Sequence, residues 1–180
     1  MARKRKATGM LPRVSRLLLL APVLLASCGG TVFHEFRRIE DSVWGRKDTL
    51  QFLYDGSFDR ETTGCSLAVE ARVDASYSYR NLVARVECLS GKDSSLLAVD
   101  TLCCELFGDD GHRKGATAGI LYQVGSEPLL VDAAGCDTLL VRVSHIMDTE
   151  LLEGVSDLGV RLESSCARGP HQSSGIQTEE

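Results

Sequence analysis

Cys28 is the residue whose neighbours assign it a chemistry. It follows Leu25-Ala26-Ser27 and precedes Gly29-Gly30. In this small-residue setting a bacterial lipoprotein cysteine is acylated and the chain is cut just before it. Upstream, Leu17 to Ser27 is a short apolar run containing Pro22, and Arg3, Lys4, Arg5, Lys6, Arg13 and Arg16 stand in front of it with no acidic residue. A basic head, an apolar middle and small residues at the cut make a secretory signal. The run is about half the roughly 20 residues that a bilayer span needs. Residues 1–27 therefore read as a signal peptide, and Cys28 reads as the mature N-terminus carrying fatty chains such as palmitate. Two or more chains on one cysteine anchor a protein stably, whereas one does not. Residues 28–31 are a tether. Three extended residues reach only about 10 Å, so the folded body is expected close against the lipid.

Other residues imitate chemistry without completing it. Gly91-Lys92 lacks the earlier glycine of a phosphate loop, since Val86 stands in that place. His34-Glu35 opens like a metalloprotease motif, but Arg38 occupies the second histidine's position. Gly154-Val155-Ser156-Asp157 is followed by Leu158, where a nucleophile elbow needs glycine. Asp109-Asp110 suits a solvated turn better than a calcium or glycosidase carboxylate pair. His145 and Met147 are soft-metal donors by type, but they read as the end of a strand. No catalytic residue, cofactor-binding residue or metal ligand is assigned. Tyr77 and Tyr79, two apart, are expected on one face of a strand, with Asn81 beyond them. They would stack on a sugar, anchor a partner protein or enter the core. These three are the candidate interaction residues.

Composition narrows the classes. Beyond residue 27 the chain keeps 153 residues, enough for one domain, and 14 basic against 25 acidic side chains, a net charge of −11. So acidic a body argues against nucleic acid, which wants a basic face. It also argues against charge-driven adhesion to anionic lipid. With Cys28 acylated, Cys65, Cys88, Cys103, Cys104, Cys136 and Cys166 remain. Cys88 and Cys103, in strand-like runs, read as buried small hydrophobes, the alternative being one or more disulfides among the six, whose pairing spacing does not choose. Adjacent Cys103 and Cys104 must point to opposite faces of a strand, so at most one faces the core.

The elements that position these residues are short strands. Val32 to Ile39 alternates, and Trp44-Gly45 reads as the turn after it. Leu50, Phe52 and Tyr54 alternate with polar neighbours. Leu67 to Asp74 has the cleanest two-residue period in the chain, the mark of a half-buried antiparallel strand. Val83 to Leu89, Leu96 to Phe107, Ile120 to Val124, Leu129 to Val131, Leu139 to Ile146 and Leu158 to Leu162 follow. Turn chemistry at Ser90-Gly91-Lys92-Asp93 and Gly108-Asp109-Asp110-Gly111 separates them. Met147 to Glu153 reads as a helical turn. About eight short strands with frequent turns predict an all-β antiparallel sandwich over residues 32–163. Residues 164–180, poor in apolar side chains, read as a disordered tail.

With these residues in place the chain resembles the GldH gliding-motility lipoproteins. The resemblance is carried by Tyr77-Ser78-Tyr79-Arg80-Asn81-Leu82, Asp100-Thr101-Leu102, Asp109-Asp110-Gly111 with Gly115, His145-Ile146-Met147, Leu152-Glu153-Gly154-Val155, and Asp157-Leu158-Gly159. Trp44 before Asp48 and Phe52 fits as well. The chain departs where the family often has tryptophan after the Asp-Gly turn, having His112-Arg113-Lys114, and where Gly135-Cys136-Asp137 replaces a Gly-Tyr pair. The resemblance implies a non-enzymatic envelope lipoprotein with protein partners in a motility or associated secretion machinery. No cofactor, nucleic acid or small-molecule substrate enters that reading. Gly29 after Cys28, in place of aspartate, favours the outer membrane, at its periplasmic face. The alternative on the same fold is a glycan-binding lipoprotein, which wants exposed aromatic platforms, yet aromatics are 6% of the chain.

Overall fold

The computed structural model describes residues 30–56, 58 and 64–165. The signal peptide, Cys28 and residues 166–180, including Cys166, lie outside the described residues. Twelve strands follow in order: β1 (Thr31–Arg38), β2 (Val43–Gly45), β3 (Leu50–Asp55), β4 (Gly64–Val73), β5 (Asn81–Ser90), β6 (Leu96–Glu105), β7 (Ala116–Ala118), β8 (Leu121–Gly125), β9 (Leu129–Val131), β10 (Thr138–His145), β11 (Leu151–Glu153) and β12 (Val155–Ser165). One turn of 3-10 helix spans Glu40–Ser42.

The strands make an antiparallel sandwich, as the alternation predicts. One sheet runs β1-β12-β4-β8-β7, with β9 also on β4, and the other runs β3-β10-β5-β6. The two-residue period of β4 sends Cys65, Leu67, Val69, Ala71 and Val73 inward, with Leu158, Val160 and Leu162 of β12 beside them. Phe52, Leu82, Val86, Leu139, Val141 and Val143 meet them from the other sheet. Each of the Leu, Val and Phe side chains among them, fully buried, stabilises the fold by about 1.5–3 kcal/mol. The Ser90–Leu96 hairpin closes by local chemistry. The Asp93 carboxylate accepts the Ser95 N–H at 3.1 Å and its hydroxyl at 2.8 Å.

Four features differ from the sequence reading. Trp44-Gly45 is not a turn, and Met147 to Glu153 is not helical. Trp44 lies inside β2, which pairs with β11, so that Leu152 faces Trp44. Both side chains are fully buried, and that burial overrides the local turn signals. The strand count exceeds eight because β2, β7 and β11, three residues each, are too short to show a period. β12 extends to Ser165, paired with Gly64, so ordered backbone reaches two residues past Glu163.

Register defines two ends of the sandwich. At one end lie Thr31, Glu163, Cys65, Asp55, Thr138, Ser90 and Leu96. At the other lie Arg38, Val73, Leu50, His145, Asn81 and Glu105. Phe33 against Tyr54, ring centroids 5.8 Å apart, ties the sheets at the first end, and Trp44 against His145, 5.2 Å apart, ties the β2–β11 ribbon to the smaller sheet at the second. We call these the near and far ends, since β1 begins at the first.

Candidate functional site

The far end gathers the residues that carry the family resemblance. Its pivot is Gly154 in the β11–β12 turn, with a left-handed φ of 84°. Its N–H donates to the Ser42 carbonyl at 2.8 Å, and its carbonyl accepts the Asp74 N–H at 2.9 Å. A Cβ there would press on the Tyr77 backbone N and lie 2.7 Å from Tyr77 Cα. Only glycine lets the three segments meet. Tyr77 is held in the same place, its hydroxyl donating to the Asn81 carbonyl at 2.8 Å. Burial raises its phenol well above the ordinary value.

Tyr77 and Tyr79 therefore do not share a strand face. They lie in the loop between β4 and β5, rings 5.7 Å apart and edge to face. Tyr77 is 9% exposed and Tyr79 39%. Tyr79 lines a shallow cleft of about 260 Å³ with Ser76, Ser78, Thr149, Leu151 and Glu153. Leu151 and Ile146 are also exposed at this end. Of the candidate residues, Tyr79 is presented to solvent, while Tyr77 and the Asn81 carbonyl build its support.

His145 and Met147 take separate structural tasks. The His145 ring is 1% exposed, and its Nε2 lies 3.1 Å from the Trp44 carbonyl. Its Nδ1 is buried with no hydrogen-bond partner among the described residues. A proton added there would meet neither water nor an acceptor, and burial accordingly lowers the imidazole pKa below its ordinary 6.5. Met147 Sδ accepts the Val83 N–H at 3.3 Å. Trp44 Nε1 donates to the Asp48 carbonyl at 2.9 Å.

A second cluster, which sequence reasoning missed, lies on the outer face of the larger sheet. Glu70 of β4 is only 7% exposed although it points away from the core. Its carboxylate accepts Arg161 Nε at 2.9 Å and Gln123 Nε2 at 2.8 Å, and His34 Nε2 stands 3.2 Å away. Arg72 Nε donates to Gln123 Oε1 at 2.9 Å, and its guanidinium lies 3.7 Å over the Phe36 ring. Phe36 in turn lies flat against Gly159. Both Glu70 carboxylate oxygens are engaged, so the cluster binds four strands together. The signal for it was present only as polar residues on alternate positions of separate strands.

The Asp109-Asp110 pair forms the expected turn, with Gly111 N–H donating to the Gly108 carbonyl and Asp110 accepting the His112 N–H at 3.0 Å. An open groove of about 490 Å³ separates β6 from the β7–β8 hairpin, lined by Thr101, Cys103, Glu105, Lys114 and Glu127 among others. A Glu105–Lys114 ion pair crosses it. Cys103 and Cys104 face opposite ways, but it is Cys104 that is buried, and Cys103, expected as a buried small hydrophobe, is exposed because the alternation of β6 sends its neighbour inward. Cys65, Cys88, Cys103, Cys104 and Cys136 are free thiols. Burial pushes Cys65 up to about 11 and Cys88 and Cys104 up to about 12.

Fold and site together define an all-β sandwich domain whose family-type residues serve to fix one end of the molecule. The chain belongs to the GldH lipoprotein family, whose model matches residues 31–162. The family is one of lipoproteins, which implies anchoring to an envelope membrane. Among curated proteins none matches the chain. A solved structure of infectious bursal disease virus, Gx strain, aligns with 92% of this chain and 43% of its own at 12% identity, with a TM-score of 0.20, too low to carry an argument.

Proposed function

We propose that this protein is a non-enzymatic envelope component, anchored through acylated Cys28, that works by protein contacts within the gliding-motility and associated secretion machinery. One observation carries the reading. The family-type residues Trp44, Tyr77, His145, Met147 and Gly154 converge on the far end, beneath exposed Tyr79, Ile146 and Leu151. β1 begins at the opposite end, three residues after Cys28. A tether at one end and a braced apolar surface at the other suit a scaffold that reaches from lipid to a partner. The outer membrane, at its periplasmic face, is the proposed location.

The glycan-binding alternative is disfavoured by the burial of Tyr77, which leaves one exposed ring where a stacking platform wants a pair. Crosslinking in native membranes, followed by identification of the attached proteins, tests the choice. Motility or secretion components should be recovered, and Tyr79→Ala with Leu151→Ala should reduce their yield. Specific binding on a glycan array that is lost on Tyr79→Ala, with no protein crosslinks, would overturn the proposal.

A further inference from the structure

An antiparallel sandwich is expected to turn polar side chains outward on both faces. Here the smaller sheet carries a row of leucines across all four strands. Leu53 of β3 faces half-buried Leu140 of β10, Leu140 faces buried Leu89 of β5, and Leu89 faces Leu96 of β6, so the exposed members are the two edge leucines. Leu53 is 55% and Leu96 58% exposed. On the other sheet Leu130 of β9, 73% exposed, pairs with Ser66, which is in register with Glu163 and so with Thr31. Val32 of β1, two strands removed across β12 and β4, is exposed at the same end. These apolar side chains all lie toward the near end.

That is the end at which β1 begins, with only Gly29 and Gly30 between it and Cys28. A tether reaching about 10 Å cannot hold this end far from the lipid. We infer that the near end rests in the interfacial layer of the bilayer, with Leu53, Leu96 and Leu130 as its contacts. The inference builds on the acylation of Cys28. Contact is apolar: among the described residues, exposed Asp55, Asp93, Asp132 and Asp137 stand at this end against Lys92. Anionic headgroups would repel it, and a zwitterionic surface suffices. Side chains of an interfacial element enter about 5–10 Å below the headgroups. The result fixes the long axis of the strands and points Tyr79 and Leu151 away from the membrane.

The test uses the full lipidated protein in phosphatidylcholine vesicles, with and without brominated acyl chains. Leu96→Trp, Leu53→Trp and Leu151→Trp place reporters at exposed positions, while buried Trp44 at the far end gives a constant background. The protein is expected to sediment with the vesicles. Emission from Leu96→Trp and Leu53→Trp should be lost in brominated lipid, and emission from Leu151→Trp should be unchanged. Sedimentation with no quenching at either near-end position, or with quenching at Leu151→Trp instead, overturns the seated orientation while leaving the anchor intact. Failure to sediment overturns the anchor and the orientation together.

Discussion

Replacing Gly154 by alanine probes the joint that braces the far end. Two costs add. A non-glycine residue held at a left-handed φ loses about 1–2 kcal/mol. Forcing a Cβ against the Tyr77 backbone, with Tyr77 Cα 2.7 Å from it, costs about 1–3 kcal/mol more, because backbone yields less than a side-chain tip. The expected loss is therefore about 2–5 kcal/mol, a large share of the 5–15 kcal/mol by which domains are stable. Urea unfolding of the unlipidated mature chain (Cys28→Ser), followed by Trp44 emission, reads it. With a slope of about 2 kcal/mol per molar, the midpoint should fall by about 1–2.5 M. Gly119→Ala is the control. Its φ is also left-handed, 67°, but no atom lies within 4 Å of the new Cβ. It should show the conformational cost alone. If Gly154→Ala loses no more than Gly119→Ala, the close approach to Tyr77 is not what requires glycine, and the reasoning fails.

Three further outcomes are expected. His145 has a folded-state pKa below its ordinary 6.5, so stability is full above about pH 6.5 and is lost as pH falls through the lowered value. Unfolding midpoints should drop on acidification, and His145→Phe should flatten that dependence; equal slopes would refute it. Tyr77→Phe should cost about 1 kcal/mol by leaving the Asn81 carbonyl unpaired, whereas Tyr79→Ala should change stability by less than about 0.5 kcal/mol yet weaken crosslinking. A thiol reagent at neutral pH should label Cys103 in the folded protein and spare Cys65, Cys88 and Cys104, whose thiols are buried and protonated. Mass spectrometry that found the buried three labelled as fast would contradict the packing.

The sandwich was legible because Leu67 to Val73 of β4 keep a two-residue period, and alternation is a local property. The opposite facing of Cys103 and Cys104 followed for the same reason. What could not be read depends on register between distant segments. Trp44 and Leu152 become partners only when β2 and β11, far apart in sequence, lie side by side. Tyr77 looks like an exposed aromatic until Gly154 brings another turn onto its backbone. Glu70 looks like an ordinary outward carboxylate until Arg161, Gln123 and His34 are placed across three neighbouring strands. Residue types announced polarity, and pairing decided who was paired.

The place of β1 has a mechanical consequence. It is an edge strand, bonded along its length to β12 from Thr31 to Arg38. The bonds of an antiparallel ladder lie perpendicular to the strands. A pull between lipid at the start of β1 and a protein gripping the far end would run lengthwise through that ladder, loading its bonds together in shear rather than peeling them one after another. Force entering through β1 and resisted at the far end would thus meet the sandwich along its strands.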